Sequence, residues 1–182
     1  MPRFPELNKL RGQLLEIHGS ADSGKTKAVI DYLRKEQKDN DVLVYYIDVG
    51  NQLKNKNLLD KGKTWFSFDI KTAENYLCLL KIAKNVDVIV IDDITFIADI
   101  WKNLDNLKKI AQKSGAAIIL INQMRFVLNH LTGEFNEQPY RINAIERYCP
   151  YIYNMDTETM YNDCPPPQED DFVKYLLNMS QA

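Results

Sequence analysis

The sequence predicts an α/β fold: a mainly parallel central sheet with helices on both faces, ending in a short antiparallel hairpin. Three observations predict it. Apolar runs alternate with segments of 3.6-residue apolar spacing through the first two thirds of the 182 residues. Two runs, residues 42–48 and 86–92, are β-branched, aromatic and almost wholly apolar, the pattern of strands covered on both faces. A Gly-bounded turn joins the first strand directly to the first helix.

In order, residues 13–18 read as a short strand and residues 25–37 as a helix through Ala28, Ile30 and Leu33. Strand 42–48 follows, then a polar loop over 50–63. Residues 64–68 form a short aromatic strand, and 72–84 a helix with Tyr76, Leu79, Leu80 and Ala83 on one side. After strand 86–92, residues 96–113 form an amphipathic helix through Ile97, Ile100, Leu104, Leu107 and Ile110. Lys108, Lys109 and Lys113 suit its negative C-terminal end, and Gly115 stops it. Residues 116–121 are the last strand of the series. Residues 122–143 are polar, mixed and aperiodic, which predicts a loop longer than a compact domain carries without a functional reason. Residues 148–155 and 158–161 read as an antiparallel pair around Asp156 and Thr157. The core therefore spans 1–164, and 165–182 is a tail: the stiff spacer Pro165, Pro166 and Pro167, then a helix over 170–179 striped with Phe172, Leu176 and Met179. That helix either docks on a partner or folds back on its own core.

Composition narrows the class. With 45% hydrophobic and 26% charged residues, the chain suits one globular domain, and its longest apolar runs fall far short of the roughly 20 residues a bilayer requires. Residues 1–6 carry no apolar stretch of signal-peptide length, and the three cysteines, Cys78, Cys149 and Cys164, are odd in number and widely spaced. Both features predict a cytoplasmic protein with no membrane association. Residues 1–113 carry 19 Lys and Arg against 16 Asp and Glu, and residues 114–182 carry 4 against 9. This balance argues against a broadly basic nucleic-acid surface. Lys54, Lys56, Lys61 and Lys63 form a local basic patch, read either as a contact site or as a solvated loop.

Gly19, Ser20, Ala21, Asp22, Ser23, Gly24, Lys25 and Thr26 match G-x-x-x-x-G-K-[ST] in full, between an apolar strand and an amphipathic helix. Such a turn aims successive backbone N–H groups at one point, where a helix N-terminus adds partial positive charge, so polyphosphate binds. Lys25 reaches the β- and γ-phosphates of ATP, and the Thr26 hydroxyl ligates Mg²⁺. Residues 88–92 add an apolar strand ending in Asp92, whose carboxylate can orient the same cation beside the phosphates.

Several segments resemble the RecA recombinase family, in order along about residues 10–155. Residues 12–19 resemble its approach to the phosphate loop, and Tyr46-Ile47-Asp48 its second core strand. Residues 86–92 are very close to its Walker B strand, and residues 119–125, with Asn122-Gln123, are similar to the strand end that opens its second DNA-binding loop. Ala144-Ile145-Glu146-Arg147-Tyr148 falls where that family resumes its sheet. The resemblance implies a RecA-like P-loop NTPase core. It also implies that Gln123 senses the γ-phosphate, the lesser alternative being a Gln that caps a strand. Residues 124–143 are then the DNA-facing loop: Arg125 and Arg141 meet phosphates, while Phe126, Phe135 and Tyr140 either stack on bases or pack on the domain.

The departures from the family also shape the expectation. Its protomer-joining N-terminal helix and first DNA-binding loop have no counterpart, and Gly50 stands where it carries its catalytic glutamate. Asp93, directly after Asp92, is either a replacement base or a helix N-cap. The implied function is a minimal RecA-like protein that binds ATP and Mg²⁺ and hydrolyses ATP slowly. It would act on single-stranded DNA in recombination or repair, as a homo-oligomer or with a RecA-like partner. The alternatives are a nucleotide-gated assembly module with little hydrolysis, and a small P-loop nucleoside-type kinase with Asp48 or Asp93 as its base.

Overall fold

Strand β1 (Leu14–His18) is buried along its whole length and pairs on both edges, and the sheet is laid out around it. The computed structural model describes residues 4–49, 79, 81–96, 100–140 and 142–161. Outside them lie Gly50, Lys54–Lys63, Arg141, the expected strand over 64–68, most of the expected helix over 72–84, and residues 162–182 with the proline spacer and the helix expected over 170–179.

The described elements are α1 (Leu7–Leu10), β1, α2 (Lys25–Asp39), β2 (Val44–Asp48), β3 (Val88–Asp92) and a 3₁₀ turn at Ile94–Phe96. Then follow α3 (Ile100–Ser114), β4 (Ala117–Ile121), β5 (Met124–Leu128), β6 (Phe135–Pro139), α4 (Ile142–Tyr148), β7 (Tyr151–Asn154) and β8 (Thr159–Tyr161). Six strands form one sheet in the order β2-β3-β4-β1-β7-β8. The first five are mutually parallel and β8 is antiparallel to β7, so the α/β class with a mainly parallel sheet and a closing hairpin is observed.

Alternation along the strands divides the core between the two faces. Leu14, Ile89, Ile91, Ile118 and Leu120 pack with Leu104, Leu107, Ile110 and Ala111 of α3 and Ile145 of α4. Leu15, Ile17, Val88, Val90, Ile119 and Ile121 pack on the other face with Val29, Ile30 and Leu33 of α2 and Leu7 and Leu10 of α1. The helices therefore cover both faces. Because the strands are parallel, β1, β3 and β4 all deliver their carboxyl ends to one edge, where α/β sheets bind ligands.

Three expectations are corrected. Residues 122–143 are not an irregular loop: β5 and β6 pair antiparallel, from Met124 opposite Pro139 to Leu128 opposite Phe135. The ribbon forms a separate two-stranded sheet with much of its surface in solvent, so neither face needs an apolar period, and the pattern hid it. Its turn was the available signal. Asn129 accepts from Gly133 N–H at 2.8 Å through its carbonyl and from Leu131 N–H at 2.9 Å through Oδ1, and Asn and Gly are turn residues. Secondly, residues 144–148 do not resume the sheet but lie in α4, whose Ile145 reaches the core with Cys149; the sheet resumes at Tyr151. Ala144, Ile145, Tyr148 and Cys149 all pack there, a helical spacing. Thirdly, residues 94–96 form a 3₁₀ turn that leaves Phe96 exposed, and the long helix is assigned from Ile100.

Leu120 is fully buried on the α3 face, whereas Phe126 on the ribbon is 72% exposed. Leu120→Ala is expected to cost about 2–5 kcal/mol in denaturant unfolding, and Phe126→Ser less than about 0.5 kcal/mol. Comparable losses in both variants would show that the ribbon belongs to the cooperative core.

Candidate functional site

The edge where β1, β3 and β4 end carries the motif residues. Gly19 follows β1 directly, and a Cβ there would lie 2.7 Å from Ser23 Oγ and 2.9 Å from Met155 Cβ, so the close approach demands glycine. Gly24 has φ +84 and leads into α2, with Lys25 and Thr26 in its first turn. Asp22 also has positive φ. Lys25 Nζ donates to Gly19 O at 3.0 Å, to Ser20 O at 2.7 Å and to Ser23 Oγ at 3.4 Å, so the ammonium rests inside its own loop. Burial lowers its pKa, against the opposing charges of Asp93, Asp156, Asp92 and Asp22.

Across from the loop, Asp92 Oδ2 accepts from Thr26 Oγ1 at 2.7 Å and from Tyr46 OH at 2.7 Å. The structure thus brings Thr26 and Asp92 together. A hydroxyl and a carboxylate oxygen at this separation suit a hard cation such as Mg²⁺, which takes oxygen ligands and keeps much of its water. Burial raises the Asp92 pKa, the hydrogen bonds from Tyr46 and Thr26 oppose the shift, and Asp93 and Asp48 reinforce it. Asp48 lies opposite Asp92 in the β2–β3 register and is itself buried.

Asp93 serves as a cap. Its Oδ1 accepts from Thr95 N–H at 2.9 Å and from Thr95 Oγ1 at 2.6 Å, closing the 3₁₀ turn. Its Oδ2 is buried with no hydrogen-bond partner among the described residues. A carboxylate oxygen in that state is available to a water or a proton, so the capping role leaves the second role open.

A second cluster, which the motifs do not reveal, lies on the α3 face. Glu16 is fully buried; its Oε2 lies 2.8 Å from His18 Nδ1 and its Oε1 accepts from Asn122 Nδ2 at 2.8 Å. Asn122 Nδ2 also donates to Tyr140 O at 2.9 Å, while Asn122 Oδ1 accepts from Gln123 N–H at 2.9 Å. Tyr140 N–H in turn donates to Gln123 O at 2.9 Å. The strand that feeds the phosphate loop is therefore tied to both ends of the β5–β6 ribbon. Polar Glu16 and His18, two apart in a buried strand, were the sequence signal for it.

Gln123 occupies the β4–β5 junction, and its side-chain amide makes no hydrogen bond among the described residues. On the ribbon, Phe126 and Phe135 are exposed, whereas the Arg125 guanidinium lies 5.4 Å from the Tyr140 ring centroid. Those two face each other. Asp156, read from sequence only as a turn residue, contacts Ser20 through both carboxylate oxygens, at 2.8 Å each.

Together the fold and this edge define an α/β protein in which a glycine-bounded loop joins β1 to α2 at the carboxyl end of the sheet. No protein-family model matches the chain, and no curated protein matches it either. Among the described residues, no helix is long and apolar enough to cross a membrane.

The raised Asp92 pKa has a testable sign. A folded state that holds this proton more tightly than the unfolded chain loses stability as pH rises from the ordinary Asp range through the folded value. Asp92→Asn keeps an acceptor for Tyr46 and Thr26 and removes the buried charge. It is expected to raise the melting temperature of the ligand-free protein at neutral pH and to change it less in acid. A lower melting temperature at neutral pH would contradict this electrostatic account.

Proposed function

We propose that this chain is a RecA-like P-loop protein that binds ATP with Mg²⁺, hydrolyses it slowly and acts on DNA in recombination or repair. One observation carries the reading: Lys25 and Thr26 open α2 opposite Asp92 at the end of β3, with Thr26 Oγ1 and Asp92 Oδ2 2.7 Å apart. Thr26 and Asp92 would hold the cation, whose charge offsets that developing on the phosphates. Lys25 exchanges its loop carbonyls for phosphate oxygens, which form charge-assisted hydrogen bonds.

Slow hydrolysis rests on the choice of base. Gly50, in the position that matches the RecA family's glutamate, has no side chain to orient water. Asp93 Oδ2 is the remaining acceptor, on a side chain whose other oxygen is committed to Thr95. General-base help is worth roughly 10²–10⁴-fold, so its partial loss leaves slow turnover. Lys25→Ala is expected to abolish tight ATP binding, and Asp93→Asn to remove turnover while binding persists. Turnover at rates ordinary for enzymes that is indifferent to Asp93→Asn overturns the account of hydrolysis, and ATP binding by Lys25→Ala at parental affinity overturns the site.

The ribbon supports a second reading, nucleotide-gated assembly with a protein partner, either another copy of this chain or a RecA-like protein. Leu131 is 98% and Phe135 69% exposed, and Arg125 is outnumbered by Glu134 and Glu137 between Met124 and Tyr140. A surface of that charge makes few phosphate contacts, so DNA binding through it is expected to be modest, with a shallow salt slope. Sizing the protein with an ATP analogue, with and without single-stranded DNA, separates the readings. A DNA-dependent shift lost in Phe126→Ala supports the DNA role, and a shift that needs only nucleotide supports assembly.

A further inference from the structure

The turn between β7 and β8 reaches the phosphate loop from the side opposite Asp92's strand, because β7 adjoins β1 on one side while β3 lies beyond β4 on the other. β7 pairs with β1 up to His18 opposite Asn154, and Met155 N–H donates to His18 O at 2.8 Å. The next residue, Asp156, meets the loop. Its Oδ2 accepts from Ser20 N–H and its Oδ1 from Ser20 Oγ, each at 2.8 Å. The turn is itself braced: Asn154 Oδ1 accepts from Asp156 N–H at 2.9 Å and from Thr157 N–H at 3.3 Å.

Ser20 is thus held from both ends of its polar backbone. Asp156 takes its N–H and hydroxyl, while its carbonyl accepts from Lys25 Nζ at 2.7 Å. The orientation of this one residue decides where the loop presents the carbonyl on which Lys25 rests. Gly19 alongside leaves no room for a side chain, since a Cβ there would lie 2.9 Å from Met155 Cβ and 3.3 Å from Asp156 Oδ1.

We propose that Asp156 is a positioning residue of the phosphate loop: from the β7–β8 turn it clamps Ser20 and so sets the affinity of the loop for a nucleoside triphosphate. The proposal rests on the reading of this loop as an ATP site. Asp156 acts through Ser20 and does not touch the phosphates. Two hydrogen bonds to a carboxylate pre-organise the loop, and a ligand then meets a cradle whose ordering cost has already been met by the fold. Nothing in the G-x-x-x-x-G-K-[ST] pattern specifies this contact, because it comes from residues 136 positions away.

The test measures binding of a fluorescent ATP analogue with Mg²⁺ to the full chain, alongside the melting temperature of each variant. Asp156→Ala is expected to weaken binding by roughly tenfold. Asp156→Asn is expected to restore it, because the amide oxygen accepts from Ser20 N–H while the amide nitrogen donates to Ser20 Oγ. Ser20→Ala is expected to weaken binding in the parent but to add little in the Asp156→Ala background, since the two residues form one contact.

Parental affinity in Asp156→Ala overturns the proposal. So does additive loss in the double variant, or an Asp156→Asn variant as weak as Asp156→Ala. If Asp156→Ala melts before it can be titrated, Asp156→Asn and Ser20→Ala decide the matter by the same comparison. A parent that binds no nucleotide overturns the ATP reading and this assignment with it, whereas a parent that binds and an Asp156→Ala variant that binds equally overturn this assignment alone.

Discussion

Strand β1 is buried on both faces and paired on both edges, and every polar group at the site depends on how it ends. A fully enclosed strand cannot slip in register without moving apolar side chains into the wrong layer, so the core fixes where β1 ends and Gly19 begins. The glycine-bounded loop that follows inherits that constraint. Lys25 and Thr26 then follow from a left-handed Gly24 and the start of α2, whose Val29, Ile30 and Leu33 are locked against the same face of the sheet.

Around β1 the structure arranges three polar anchors of different cost. Asp92 is held by hydroxyls from Tyr46 and Thr26, a buried charge kept tolerable by two donors. Glu16 is enclosed completely and shared between His18 and Asn122, which carries the link to the root of the ribbon at Tyr140. Asp156 lies at the exposed rim and holds Ser20 by geometry more than by burial. The three come from the middle of β1, the end of β3 and the turn after β7.

Much of the fold was legible in the chain. Strands with Val, Ile and Leu on both faces, as in residues 88–91 and 117–121, can only be central, and their alternation with amphipathic helices leaves few topologies. The ribbon was not legible, because a two-stranded sheet outside the core satisfies its backbone internally and imposes no apolar period on residues such as Asn136, Glu137 and Gln138. Helix α4 was obscured for another reason. Its seven residues bury Ile145 and half-bury Ala144 and Tyr148, a stripe too short to distinguish from a strand beside a known strand end.

The sequence by itself determined the local chemistry: a glycine-bounded turn with Lys25 and Thr26 at a helix start, an apolar strand closed by Asp92 and Asp93, and a chain alternating between two periods. Each of these is a short-range pattern, written in neighbouring residues because backbone conformation and helix geometry act over a few positions. Only the tertiary structure decided which distant groups complete that chemistry. It placed Tyr46 on Asp92, Asn122 on Glu16, and Asp156 on Ser20, pairs separated by 46, 106 and 136 residues. Strand order and register set those distances, and both are outcomes of packing the whole sheet, which no local pattern can state.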